Sequence, residues 1–113
     1  YTNMINLDGN AVSPSTDSFV AAAAGASWDA SRGFGTLLNN QPGADSWPMA
    51  GATFILVYRQ PSDPAATTAA LKFFQWAYAQ GDEMASQLHF VPLPIELTQE
   101  IEENWSRVEG WEG

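Results

Sequence analysis

The 113 residues of this chain are enough for one small hydrophobic core, and 45% of them are apolar. Thirteen acidic against four basic residues give a net charge of -9, which disfavours nucleic acid and anionic membrane surfaces as partners because both are polyanions. The absence of cysteine excludes a disulfide framework, a thiolate metal site and a cysteine nucleophile, and no apolar run approaches the roughly 20 residues that span a bilayer.

Turn and capping signals divide the first half of the chain. Residues 1–7 have the weak alternation of a short strand, and the sequence at 8–10 is typical of a turn. Ser13 or Ser15 is a suitable N-cap for a helix that continues through an alanine run and ends at Gly25. The stretch that follows has no periodicity, so an irregular segment with turns is predicted there.

The clearest predicted strand is Ala52–Tyr58, which is continuously apolar in its middle, as expected for a strand covered on both faces. Few other strands are predicted, so its sheet partners should come mostly from sequence outside this chain. A helix is predicted from about residue 65 to residue 80, because Leu71, Phe74 and Tyr78 recur at helical spacing.

The last third of the chain is predicted to hold two further helices joined by an extended segment. Asp82 is suited to cap the first, and two prolines keep residues 89–94 extended. Pro94 then takes the first position of the final helix, and the tail at 110–113 is expected to fray. In that final helix the inward-facing residues are predicted to be Leu97, Ile101, Trp105 and Val108, and the outward-facing ones Glu96, Glu100 and Glu103.

Polar residues of the sequence predict neither a catalytic nor a metal site. His89 is the only histidine, and without cysteine it cannot make an ordinary zinc site, so a structural or surface role is assigned to it. Asp45 stands beside the hydroxyl of Ser46, but no base is near, and we interpret the pair as a turn capped by Asp45. A solvated helix face accounts for the three glutamates that resemble paired acids, Glu100, Glu102 and Glu103.

The five tryptophans could suggest a sugar-stacking surface, but packing is the simpler interpretation. Trp76 and Trp105 fall on helix stripes that are expected to face the core. Trp28 and Trp47 are also assigned structural roles.

Two motif-like features are interpreted as accidental. Residues 104–106 match a glycosylation acceptor, but they lie within a predicted helix with the central tryptophan facing inward. Gly43 and Gly51 do not form a phosphate-cradling loop, since the P-loop pattern is absent and Lys72 is the only lysine.

Three longer stretches carry a resemblance to one family. They read SPSTDSF followed by an alanine run and Trp28; LLNNQPGADSWPMAGATFIL; and ALKFFQWAYAQGDEMASQLHFVPLP. Taken together, they are similar to the C-terminal third of periplasmic phosphate-binding proteins of phosphate ABC transporters. The pair His89-Phe90 departs from the family pattern, and so does the end of the chain from Glu109.

The resemblance implies an α/β chain that is the C-terminal portion of a two-lobed periplasmic-binding-protein fold of type II. It implies a phosphate-binding component of a high-affinity importer, located in the periplasm, secreted or at the cell surface, and not an enzyme. The family grips its anion with backbone amides, hydroxyls, one arginine and one aspartate in loops of the first half of its sequence. No residue here matches them, so we expect no phosphate-binding, catalytic or metal-binding residue in this chain, and no cofactor.

The same resemblance sets the expected partners and domain organisation. Inorganic phosphate would be bound through the missing N-terminal portion, and the ABC permease subunits of the inner membrane would contact the intact protein. Residues 1–47 are expected to end the second lobe, 48–51 to form a crossing or hinge, and 52–113 to complete the first lobe, which is incomplete without upstream sequence. Because the chain begins at Tyr1 and not at methionine, its native beginning is expected upstream.

Two alternatives stay open at this point. The first is an autonomous acidic module that folds alone and binds a protein partner. The second is a secreted phosphate-binding relative of the DING type with a role outside transport.

Overall fold

A short hairpin begins the chain in the computed structural model, which describes all 113 residues. Strands β1 (Met4–Ile5) and β2 (Ala11–Val12) pair antiparallel, with Met4 opposite Val12. Gly9 adopts a positive φ of 83° in the turn between them, a conformation that glycine tolerates without steric cost. The strand predicted over residues 1–7 is therefore reduced to two residues, while the turn prediction is confirmed.

Helix α1 (Thr16–Gly25) is capped by one of the two serines proposed from the sequence. The hydroxyl of Ser15 accepts a hydrogen bond from the Ser18 amide at 3.2 Å, and the Ser15 amide donates to the Ser18 hydroxyl at 3.0 Å. This reciprocal capping box satisfies two donors at the helix start. Gly25 ends the helix where a β-carbon would lie 2.5 Å from the Pro42 carbonyl oxygen, so close packing also requires glycine there.

The chain divides into two compact units, Tyr1–Phe54 and Ile55–Gly113. In the first unit, the core consists of Ala22, Leu38 and Ala50, with Phe19 and Trp28 packed against it. A one-turn 3-10 helix at Ala30–Arg32 and an isolated bridge between Asn39 and Met49 are the only regular structure between α1 and residue 54. The irregular segment predicted after α1 is confirmed.

The second unit contains helices α2 (Pro64–Gln80), α3 (Asp82–Gln87) and α4 (Ile95–Asn104), followed by a 3-10 turn at Trp105–Arg107. The side chain of Asp63 caps α2 by accepting from the Ala66 amide at 3.0 Å. Leu71 is 1% exposed and lies at the centre of the core of this unit. Its neighbours in that core are Val57, Phe74, Tyr78, Ile101, Trp105, Val108 and Trp111.

Three boundary predictions in this unit need correction. Gly81, not Asp82, precedes α3, and no side chain caps that helix. Pro94 precedes α4 as its N-cap residue instead of taking the first helical position. The tail is held as far as Trp111, because Thr68 donates its hydroxyl to the Gly110 carbonyl at 2.9 Å and Trp111 packs on Trp105.

The largest difference from the sequence prediction concerns Ala52–Tyr58, which forms no strand. None of the backbone hydrogen bonds outside helices and strands involves residues 51–58. The physical reason is the lack of a partner, because a strand is completed by neighbours and the only sheet here is the two-residue hairpin.

None of the helices combines the length and hydropathy required to cross a membrane.

Candidate functional site

A buried asparagine organises the loop at residues 39–48, which carries the most distinctive motif of the sequence. Asn6 is 5% exposed, and its side-chain amide nitrogen donates to the carbonyls of Gly43 at 3.0 Å, Ala44 at 2.9 Å and Ser46 at 3.3 Å. Its side-chain oxygen accepts from the Asn10 amide at 2.9 Å. A single side chain therefore ties the hairpin turn to the loop.

A carboxylate and a hydroxyl complete this arrangement. Asp8 accepts a hydrogen bond from the Gly43 amide at 3.1 Å, and the fully buried hydroxyl of Ser46 donates to the Pro42 carbonyl at 2.9 Å. The predicted cap by Asp45 is wrong, since Asp45 accepts no hydrogen bond and the carboxylate that binds the loop comes from Asp8, 35 residues away from Gly43. Ser46 is occupied in a structural bond, in agreement with its interpretation as part of a turn.

Three of the amides of this loop are used within the chain. The Gly43 amide donates to Asp8, the Ser46 amide donates to the Gly43 carbonyl at 3.1 Å, and the Trp47 amide donates to the Ser18 carbonyl at 3.0 Å. Anion-binding loops need backbone amides that point freely at the ligand. These three amides therefore serve the structure of the loop and are not free to bind an anion.

Replacing Asn6 with alanine should reduce the free energy of unfolding of the intact protein by about 1–3 kcal/mol, because the buried Ser46 carbonyl and two part-buried carbonyls lose their donor. Denaturant titration followed by circular dichroism measures the change. The matched control is Asn3→Ala, since Asn3 is exposed on the same hairpin. Equal stability of the two variants would show that the Asn6 contacts do not hold the loop.

A polar cavity of about 650 Å³ lies beside the start of α1, lined in part by Ser13, Ser15, Asp17 and Asp45. A helix start attracts anions through its free amides and its dipole. Here the Ser18 amide is already capped by Ser15, and two carboxylates line the cavity. This cavity is therefore unsuited to phosphate.

Two groups in the chain have shifted pKa values, and both shifts have local causes. Burial raises the pKa of the Tyr78 hydroxyl, and the nearby negative charge of Glu102 adds to the shift. Glu102 is half-buried and accepts a hydrogen bond from Gln75 at 3.1 Å. It therefore differs from Glu100 and Glu103, which are exposed. Hydrogen bonds from Ser31 lower the pKa of the Asp29 carboxyl. These contacts join neighbouring helices or cap a turn, and neither group resembles a general acid or base.

The tryptophan predictions are confirmed except for one. Trp47 and Trp105 are buried, and the indole nitrogen of Trp28 donates to the Ala23 carbonyl at 2.8 Å. Trp76 is 50% exposed, so its assignment to the core of this chain is wrong. Helix α2 carries apolar residues on more than one face, and the exposed face presents Trp76 beside Phe73, with ring centroids 5.9 Å apart.

The remaining sequence candidates do not come together in one site. His89 is exposed at the end of α3 with a φ of 64°. Asn104 donates its side-chain amide to the Glu100 carbonyl at 3.0 Å, a bond within α4. No group of three or more histidine, aspartate or glutamate side chains is placed to share a metal ion.

Asn6 is the residue that sequence reasoning missed. Its position two residues before an Asp-Gly turn was a usable signal, because asparagine side chains often bond to the backbone of such turns. Its partners lie 37 to 40 residues away, and no local pattern indicates that pairing.

No family model matches the chain. Among the curated proteins to which the chain is similar are three named "Phosphate-binding protein PstS". It is 42% identical over 105 residues to the protein of Pasteurella multocida strain Pm70, which covers 93% of this chain. It is 40% identical over 106 residues to that of Xylella fastidiosa strain 9a5c, and 37% identical over 105 residues to that of Haemophilus influenzae, covering 94% and 93% of this chain.

The chain matches only part of the length of each relative. The chain spans 30%, 29% and 31% of the lengths of these three proteins. The resemblance drawn from the sequence motifs is thereby confirmed over almost the whole chain, as a similarity to a segment of a longer protein. The mixed helix and sheet content of the structure is consistent with a part of a periplasmic-binding-protein fold.

Proposed function

We propose, on the premise that this chain is a segment of a PstS-type phosphate-binding protein, that the intact protein is the phosphate-binding component of a phosphate ABC importer. The observation that carries the proposal is the sequence identity of 37% to 42% with curated phosphate-binding proteins over 93% of the chain. The named relatives are binding proteins, which is consistent with a protein that is not an enzyme. We place the intact protein in the periplasm, where it would deliver phosphate to the permease subunits.

Within that protein, the chain serves as scaffold and contributes none of the phosphate ligands. Three amides of the loop, those of Gly43, Ser46 and Trp47, are used by Asp8 and by backbone carbonyls. The cavity at the start of α1 is lined by two carboxylates, Asp17 and Asp45, which repel a phosphate ion. The ligands would therefore lie in the portion of the protein that has no counterpart in this chain.

The chain would cross between two lobes. Residues 1–47 would complete the second lobe, 48–51 would form the crossing or hinge, and 52–113 would belong to the first lobe. The division of the chain into two compact units after Phe54 is compatible with such a crossing. The proposed crossing lies a few residues earlier, where Trp47-Pro48 restricts the backbone and Gly51 gives freedom.

The segment Ala52–Tyr58 would be a strand whose neighbours come from the remainder of the protein. Leu56 is 94% exposed, and the backbone groups around it have no partners. Exposed apolar surface of this kind marks an interaction site, and unpaired strand groups are a template for pairing. An autonomous acidic module would have to fold alone with this apolar segment exposed and its backbone groups unpaired, so this alternative is disfavoured.

The function is tested by titrating the purified intact protein with inorganic phosphate in a calorimeter. Saturable binding of one phosphate per protein is expected, with a much smaller signal from sulfate as the control anion. Lack of phosphate binding, or equal binding of both anions, would refute the proposed function.

A further inference from the structure

Two of the four basic residues of this acidic chain line the same cleft of the second unit. Arg59 follows the segment Ala52–Tyr58, and Arg107 ends the 3-10 turn after α4. They are 48 positions apart in sequence, yet both border one open cleft of about 610 Å³, together with Tyr58, Gln60, Ser106 and Glu109. The fold thus gathers positive charge at one place on a chain of net charge -9.

The backbone around both arginines is fixed. The Arg59 carbonyl accepts a hydrogen bond from the Glu109 amide at 2.8 Å, which joins the two segments. Arg107 lies between Trp105 and Val108, both of which are buried in the core of the unit. The two side chains therefore start from anchored positions, and binding would order only the side chains themselves.

Neither guanidinium is used inside the chain. The hydroxyl of Ser106 donates to the Glu103 carbonyl, and the other hydrogen bonds at this place join backbone groups. Both arginines are exposed. A guanidinium presents its donors in a planar fork that matches carboxylates and phosphates, so two free forks in one cleft form a site for oxyanions.

We propose that this cleft binds an acidic segment of a partner protein, with carboxylates paired to Arg59 and Arg107. A flat anionic bilayer would have to approach the whole acidic chain and could not enter a concave cleft. A single small anion would remain hydrated in so open a site, whereas a segment with several carboxylates can contact both guanidiniums and Gln60. Glu109 also lines the cleft, and its carboxylate repels those of the partner, so binding requires both arginines.

The test uses the intact protein and a fluorescein-labelled hexaglutamate peptide, with binding followed by fluorescence anisotropy. The double variant Arg59→Gln/Arg107→Gln should weaken peptide binding by about tenfold or more, as expected for loss of charge-assisted bonds. The matched control is Arg32→Gln, because Arg32 is an exposed arginine of the other unit; it should change the affinity by less than about twofold. Binding should also weaken as salt is raised.

Further measurements distinguish an acidic peptide from inorganic phosphate and anionic lipid as the ligand of the cleft. The double variant should bind inorganic phosphate with the same affinity as the parent. The peptide measurement is therefore independent of whether the proposed phosphate-binding function is correct. If the double variant does not fold, each single glutamine variant should still weaken peptide binding. Four results would overturn the proposal. The first two are absence of peptide binding and peptide binding that the glutamine variants leave unchanged. The other two are binding of inorganic phosphate at the cleft without binding of the peptide, and binding only to phosphatidylglycerol vesicles.

Discussion

Replacing Trp105 with alanine is expected to lower the free energy of unfolding of the intact protein by about 3–5 kcal/mol, the range for deletion of a large aromatic side chain from a core. Trp105 is 8% exposed. Its ring stacks on Tyr78, with centroids 6.1 Å apart, and meets the edge of Trp111 at 5.3 Å. The deletion would remove the side chain that joins α2, the 3-10 turn and the tail.

The change in stability can be measured by guanidinium denaturation followed by circular dichroism, a probe that does not depend on the deleted indole. The matched control is Trp105→Phe, which keeps an aromatic ring in the same place and should cost distinctly less. If Trp105→Ala unfolded at the same denaturant concentration as the parent, the aromatic cluster would not be the core of this unit.

Backbone amides of residues 53–57 should exchange with deuterium far more slowly in the intact protein than in the isolated 113-residue chain. In this chain these amides have no hydrogen-bond partners, so nothing slows their exchange. In the centre of a sheet they would be protected by factors on the order of 100 or more, because opening then requires a cooperative unfolding event. This contrast follows directly from the proposal that the remaining sequence supplies the neighbouring strands.

Hydrogen exchange with mass spectrometry resolves this segment from its surroundings. Amides in the middle of α2 serve as the internal control, because their hydrogen bonds lie within the helix in both samples. Fast exchange of residues 53–57 in the intact protein would mean that the segment is not a paired strand there. The lobe assignment of residues 52–113 would then lose its main support.

Local signals in the sequence were sufficient for most helix positions. Ser15, one of the two serines proposed as N-cap, caps α1 with its side chain, and such capping depends only on residues within one turn. The spacing of Leu97, Trp105 and Val108 likewise identified the buried side of the last helical segment. These features could be predicted because their causes lie within a few residues.

Features that depend on distant partners could not be predicted in the same way. The contacts of Asn6 span about 40 positions of sequence, and Trp76 shares a helix with apolar residues on several faces, so periodicity alone did not indicate which face is buried. The strand pattern of Ala52–Tyr58 describes what the backbone can do with neighbours, but neighbours within this chain are absent. The cleft of Arg59 and Arg107 also arises only when separated segments meet.

If this chain is the scaffold part of a phosphate-binding protein, as we propose, it holds none of the phosphate ligands. The most direct measurement is calorimetric titration of the isolated 113-residue chain with inorganic phosphate, beside the intact protein under the same conditions. We predict saturable binding by the intact protein and no measurable binding by the isolated chain. Micromolar or tighter phosphate binding by the chain alone would contradict the account.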